Sequence, residues 1–193
     1  MPKSTTPQIV TLPHERLRER SERVGIVTDD VKKIIRDMEA STLEWEDSRK
    51  HELGVALAAV QIDTLLRIVI IRSTFEDKTD RSFECFINPE IVKKEGAIVE
   101  DYEGCLSVKD VYGKVPRYER VKVKALDETG TPFRVTAEGF LARVFQHEID
   151  HTNGVLFIDH IKNDPEAFYH LTEHGQLEEL DYEKDIRDSR ILW

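Results

Sequence analysis

The sequence predicts an α+β fold, and three features carry that prediction. Val121 to Ala125 and Phe133 to Thr136 alternate apolar and polar residues across Asp127-Glu128-Thr129-Gly130, a β-hairpin pattern. Leu65 to Arg72 is a short run rich in Leu, Ile and Val, the signature of a buried strand. Glu138 to Thr152 is apolar around much of a helical circumference, which marks a central, buried helix. With 193 residues the chain is the size of one domain and long enough for a real core.

Taken in order, the first dozen residues read as an extended lead-in ending at Pro13. A helix follows from residue 29 to about residue 45. Thr28, Asp29 and Asp30 cap its start, and Val31, Ile34, Ile35 and Met38 form its buried stripe. The charged stretch Glu46 to Glu52 reads as a surface loop. Phe83 to Val92 reads as two extended pieces separated by a turn at Asn88-Pro89. After the hairpin and the central helix, Asn153-Gly154 closes the helix and Gly154 to Ile161 reads as a strand or extended segment. Pro165 to His174 reads as a short helix stopped by Gly175. Residues 1–163 are thus the body, and residues 164–193 an acidic, helical tail carrying nine acidic and three basic side chains.

Charge and composition exclude several classes. There are 28 Lys and Arg against 38 Asp and Glu, a formal charge of −10, so no direct nucleic-acid binding is expected. Two cysteines do not make a disulfide scaffold. Cys85 reads as a packing residue, with a bridge to Cys105 as the lesser alternative. The longest apolar run, Leu53 to Val60, has eight residues, well below the ~18–20 of a membrane span. MPKSTTPQIV lacks the apolar core of a signal peptide. A soluble protein of a reducing compartment is expected.

The chemistry lies in the central helix. Phe140, Val144, His147 and His151 are spaced four, three and four, so they share one face. Two buried imidazoles need partners, and one metal ion satisfies both. Glu148 follows His147 and sits off the ligand face, within reach of a metal-bound water. This is the HExxH pattern; two core histidines that fit it by chance are the alternative. Asp150 reads as an anchor of the helix. A catalytic metal needs a third protein ligand and an open position for water. Downstream, His160, His170, His174, Glu166 and Glu173 are candidates. The metzincin spacing falls on Phe157, which cannot ligate. Upstream, Cys105 stands in Tyr102-Glu103-Gly104-Cys105-Leu106-Ser107-Val108 and offers a thiolate suited to borderline divalent ions. On the residues alone the choice stays open.

Three segments together resemble the peptide deformylase family. They are Gly54-Val-Ala-Leu-Ala-Ala-Val-Gln61 against a GxGxAAxQ pattern, Glu103-Gly-Cys-Leu-Ser107, and Gln146-His-Glu-Ile-Asp-His151. The resemblance runs from Leu12-Pro13 through Phe157-Ile158. It implies an α+β fold with small antiparallel sheets packed around a central metal-binding helix. It implies a hydrolase that removes the N-formyl group from the formyl-methionine of newly made polypeptides and releases formate. Cys105, His147 and His151 would hold one divalent metal. Fe2+ is the implied physiological ion; Zn2+, Ni2+ or Co2+ can stand in isolated protein. Glu148 would take the proton of the metal-bound water nucleophile and deliver it to the leaving amine. The Gln61 amide and the Leu106 backbone N–H would stabilise the oxyanion. Val55 would bind the peptide backbone, and Phe140 and Val144 would wall the methionine pocket, plain core packing being the alternative for both. Glu103 would orient a neighbour or pair with Arg117. The implied partners are N-formyl-methionyl nascent chains, with ribosome proximity and no membrane. The implied site is the cytoplasm, or an organelle after loss of a targeting peptide.

The chain departs from the pattern in places. Ala56 replaces the second Gly of the first motif, Val60 stands at a Pro or Thr position, and Tyr112 stands where many relatives carry Arg. The Glu46 to Glu52 stretch looks extended and placed to rim the cleft. Two rivals remain: a zincin-like peptidase, which needs a downstream ligand instead of Cys105, and a respecialised, weakly active relative, of which Ala56 would be the sign.

Overall fold

The computed structural model describes residues 6–49, 52–77 and 79–189. The first five residues of the lead-in, two residues of the charged stretch (50 and 51) and the last four of the tail therefore lie outside the described residues. Among the described residues there are seven strands: β1 (Ala56–Ala58), β2 (Ile68–Arg72), β3 (Phe83–Cys105), β4 (Val108–Leu126), β5 (Pro132–Glu138), β6 (Phe168–Leu171) and β7 (Leu177–Glu179). Three α-helices accompany them: α1 (Asp29–Asp47), α2 (Gly139–His151) and α3 (Phe157–Ile161). All strand pairings are antiparallel. The small sheets join into one network in the order β1-β2-β3-β4-β6-β7, with β5 also paired to β4. The long β3 and β4 make the join, because each runs through regions that read in sequence as separate short pieces.

Strand alternation sorts the core onto two faces. Ala56, Ala58, Val69, Ile71 and Phe86 turn one way and pack with Val144, Phe145 and Ile149 of α2. Leu57, Ile68, Ile70, Cys85 and Ile87 turn the other way and pack with Val31, Ile35 and Met38 of α1. Both faces of β2 are covered, which is why its sequence is continuously apolar rather than alternating. A third cluster joins Val108, Val111 and Val115 of β4 to Phe157, Ile158 and Ile161 of α3 and to Phe168 and Ile186.

The hairpin pairs Val123 with Val135 and Lys122 with Thr136, as the alternation predicts. The Thr28 side chain accepts from the Val31 amide at the start of α1. Other expectations need correction. Asn88-Pro89 does not end a strand. Asn88 takes a positive φ of 53° and creates an irregularity within β3. Its side chain both accepts from the Val24 amide and donates to the Val24 carbonyl, each at 2.8 Å, so it stands in for a strand partner. Residues 157–161 are helical, not extended, because the Asp159 carboxylate accepts from the Leu156 amide at 2.8 Å and caps the turn. Pro165–Ala167 form only a 3-10 turn, and the segment continues as β6 because Tyr169 pairs with Tyr112 and Phe168 with Gly113 on β4. Gly175 with φ 75° turns β6 into β7 rather than stopping a helix.

The charged stretch also divides. Glu46 and Asp47 belong to the last turn of α1. The Glu46 carboxylate accepts from the Gly54 amide at 2.8 Å and from the buried Arg72 guanidinium at 2.7 Å, so α1 is clamped to the start of β1 and the end of β2. Removing one partner of a buried pair strands the other charge. Glu46→Ala is expected to lower unfolding free energy by about 3 kcal/mol. Asp37→Ala, at the exposed pair with Lys33, is expected to cost no more than about 0.5 kcal/mol. Urea denaturation of the two variants checks the difference.

Candidate metal centre and catalytic cleft

α2 crosses beneath the sheet with most of its side chains buried. It is held there by Gln146, which accepts from the Tyr118 amide at 3.1 Å and donates to the Tyr118 carbonyl at 2.8 Å. Cys105 arrives at the end of β3, where a tight turn leads into β4. The Cys105 sulfur and one ring nitrogen each of His147 and His151 lie within 4.8 Å of one another and could hold a metal ion. The Cys105 sulfur is 3.2 Å from His151 Nε2. Cys85 is buried and free, so no bridge forms. Burial pushes its thiol up to about 12, and it serves only as packing.

None of the downstream candidates joins this group. His160 lies 2.7 Å from the Asp150 carboxylate and His170 sits 3.6 Å from Glu178. Glu166, Glu173 and His174 are exposed. Phe157, at the metzincin position, stacks on the His147 ring at 6.1 Å between centroids.

Glu103 resolves both ways at once. It accepts from Arg117 Nε at 2.9 Å and Arg117 Nη2 at 3.0 Å, and from Arg143 Nη1 at 2.7 Å. It also faces His147 Nδ1 at 2.9 Å. A carboxylate there takes a proton donor from the ring, which leaves Nε2 of His147 with its lone pair for a ligand. Burial opposes the charge on Glu103, but the hydrogen bonds from His147 and Arg117 outweigh it and hold the carboxyl well below its usual range. For His147 burial works downward, yet the Cys105 sulfur and Glu103 raise it well above normal, so without a metal the ring holds a proton on Nε2 that a bound cation must displace. His151 is pushed well below normal, by burial first and the His147 charge second. Its neutral ring suits ligation.

Arg143 was not singled out by the sequence reading. Its signal was a charged residue one turn before His147 on a helix that is otherwise buried, where a partner had to exist. Asp150 does anchor α2: it accepts from Arg117 Nη1 at 2.5 Å and contacts His160.

Gln61 sits in a 3-10 turn directly after β1 and is 1% exposed. Its Oε1 accepts from the Ala58 amide at 2.9 Å. That contact fixes the amide so that Nε2 faces Ser107 Oγ at 3.1 Å and the Cys105 sulfur at 3.6 Å. Glu148 is buried, and its Oε2 has no hydrogen-bond partner among the described residues. Burial pushes its carboxyl up to about 7.

These groups open into a cleft of about 440 Å³. Its wall includes Val55, Ala56, Gln61, Leu106, Val144 and Glu148, so the predicted site residues converge. Phe140 also lines it, half exposed at the rim and edge-on to Phe75 at 5.0 Å. Val144 and Ala56 line the cleft and also pack in the core. The Val55 carbonyl accepts from the Arg72 amide. Tyr112 lies against Gly104: a Cβ added there would stand 2.6 Å from its ring, so only glycine admits this wall beside Cys105. The Tyr112 hydroxyl donates to Glu52 at 2.6 Å across the rim. Burial and Glu52 raise its pKa.

Comparison with known proteins agrees with this geometry. The family model described as polypeptide deformylase matches residues 6–166. A peptide deformylase of Thermomicrobium roseum is 42% identical over 158 residues, 80% of this chain and 85% of that protein. The crystal structure of a peptide deformylase from Synechococcus elongatus in complex with actinonin superposes with a TM-score of 0.74 at 35% identity, covering 84% of this chain and 85% of that one. A Met-Ala-Ser-bound class I type b peptide deformylase from Acinetobacter baumannii gives a TM-score of 0.70 at 30% identity, covering 79% and 96% of the two chains.

The geometry makes Cys105 the candidate sulfur ligand and sets Glu103 against His147 Nδ1. Cys105→Ala is expected to abolish tight zinc or cobalt binding in competition with a chelator. Glu103→Gln is expected to weaken it by about 10–100-fold. Unchanged affinity in Cys105→Ala would place the metal elsewhere and revive the zincin reading.

Proposed function

The chain belongs to the peptide deformylase family, and on that footing we propose how its own residues perform the reaction. It is a metal-dependent hydrolase that removes the formyl group from N-formyl peptides. The observation that carries the reading is the convergence of Cys105, His147 and His151 on one point, beside a cleft that also contains Glu148 and Gln61.

Cys105, His147 and His151 fit a divalent cation: the donors are close, the rings are buried, and Glu103 presets one of them. A cation bound there would supply a Lewis acid that lowers the pKa of a water to near neutrality. The Glu148 carboxylate is placed to accept the proton of the water that attacks the formyl carbon. Glu148 then gives the proton to the amide nitrogen as the C–N bond breaks, and formate and a free α-amine result. Gln61 Nε2 and the Leu106 amide donate to the developing oxyanion. The fixed orientation of Gln61 supports this role, because no reorganisation is needed during the reaction.

β1 is the terminal strand of the sheet, and Val55 and Ala56 at its start line the cleft. This supports recognition of an extended peptide backbone by strand addition, which suits an enzyme that must accept many sequences. Phe140 and Val144 take the methionine side chain. The tripeptide Met-Ala-Ser, bound by the Acinetobacter relative, is the product expected from formyl-Met-Ala-Ser. The substrates are formyl-methionyl nascent chains, met in the cytoplasm near the ribosome. No described helix is long and apolar enough to cross a membrane. The thiolate and imidazole donors suit borderline ions; Fe2+ is the working metal in this reading, and Zn2+, Ni2+ or Co2+ replace it on isolation.

Protein loaded anaerobically with Fe2+ is expected to release formate from formyl-Met-Ala-Ser, and Glu148→Ala to lower kcat by at least about 100-fold. Absence of release with metal bound would sink the reading and favour the respecialised relative. The pH profile follows from Glu148, which must be ionised to accept a proton. Burial raises it from 4.5 to about 7. The cation opposes that shift, so kcat/KM is expected to fall with decreasing pH along a limb between those two values. The residual activity of Glu148→Gln is expected to lose that limb.

A further inference from the structure

The chain beyond residue 166, where the family match ends, is built into the cleft. β6 adds to the edge of β4 through Tyr112 and Gly113, and β7 adds to β6. The hairpin is rooted, not draped. Phe168 is fully buried in the third core cluster with Ile186, and the Leu180 amide donates to the Phe168 carbonyl at 3.0 Å. The Tyr169 ring meets Tyr102 of β3 edge-on at 5.0 Å. Leu171 and Leu177 are directly paired across the two strands, so their side chains share one face. Both line the same cleft as Glu148, and both remain partly exposed.

We propose that the β6–β7 hairpin is a specificity element of the deformylation site, in which Leu171 and Leu177 form an apolar shelf for a side chain downstream of the formyl-methionine. The proposal rests on the deformylase reading. Phe140 and Val144 flank His147 and Glu148 on α2, which assigns them to the residue being deformylated. Leu171 and Leu177 stand on a separate element, joined to the cleft through Tyr112 and Tyr102, and receive the residues that follow. Glu179, two residues beyond Leu177 on the same strand face, adds negative charge beside the shelf and disfavours an acidic residue there.

The experiment compares kcat/KM for formyl-Met-Ala-Ser, formyl-Met-Leu-Ser, formyl-Met-Ala-Leu and formyl-Met-Ala-Asp, in Fe2+-loaded natural protein and in Leu171→Ser/Leu177→Ser. In parallel, Trp45, which lines the cleft, reports binding of the product peptides by fluorescence. The natural protein is expected to favour one of the two leucine peptides by about tenfold over formyl-Met-Ala-Ser, with formyl-Met-Ala-Asp the poorest. The double variant is expected to reduce that ratio to about two or less, and Leu177→Met to retain it. Absence of any preference in the natural protein, its persistence in the double variant, or an equal fall on all four peptides would overturn the proposal. If no peptide releases formate yet the double variant loses the binding preference among products, the shelf stands and the assignment of the reaction fails.

Discussion

A carboxylate with almost no access to water sits at the junction of three elements, and the site is organised around neutralising it. Glu103 comes from β3, Arg117 from β4, and Arg143 and His147 from α2. Removing any one partner would leave a buried charge without compensation, so the four must be brought together or not buried at all. That requirement fixes the height of α2 against the sheet and the rotation of the His147 ring. It also explains why Arg117 and Arg143 are buried. Cys105 follows two residues after Glu103 on the same strand, so the placement that satisfies Glu103 also delivers the sulfur to the two histidines.

The same burial gives Glu148 its chemistry. Glu148 and Glu103 are both acidic, both buried, and both near His147, yet their pKa values move in opposite directions. Glu103 has donors on both oxygens and stays ionised as a structural anion. Glu148 has an oxygen to which no described residue donates and is raised toward neutrality, where a carboxyl can both accept and return a proton. The difference lies in the hydrogen bonds around each group, not in residue type.

Local signals were legible in the sequence. The caps and stripe of α1, the β4–β5 hairpin and the shared face of His147 and His151 all depend on residues close in the chain. The choice of Cys105 over His160 or His174 was legible only through the motif around it, because spacing alone left five downstream candidates open. What resisted reading was set by distant pairing. Asn88-Pro89 looks like a break until Val24 is seen to satisfy Asn88. Residues 157–161 look extended until Asp159 caps the turn. Residues 165–174 look helical until β4 offers them an edge at Tyr112 and Gly113, while Tyr182–Arg187 of the same tail does form a helical turn. Arg143 falls between these cases: its place on a buried helix face announced a partner, but not that Glu103, forty residues earlier, would be it.

The central claim is that one sulfur and two imidazoles, preset by Glu103, hold the catalytic metal. X-ray absorption at the zinc edge of zinc-loaded protein tests it directly. The account predicts one sulfur scatterer at about 2.3 Å and two imidazole nitrogens at about 2.0–2.1 Å, with a light-atom ligand completing the shell. A spectrum with no sulfur, or with a carboxylate in its place, would contradict it.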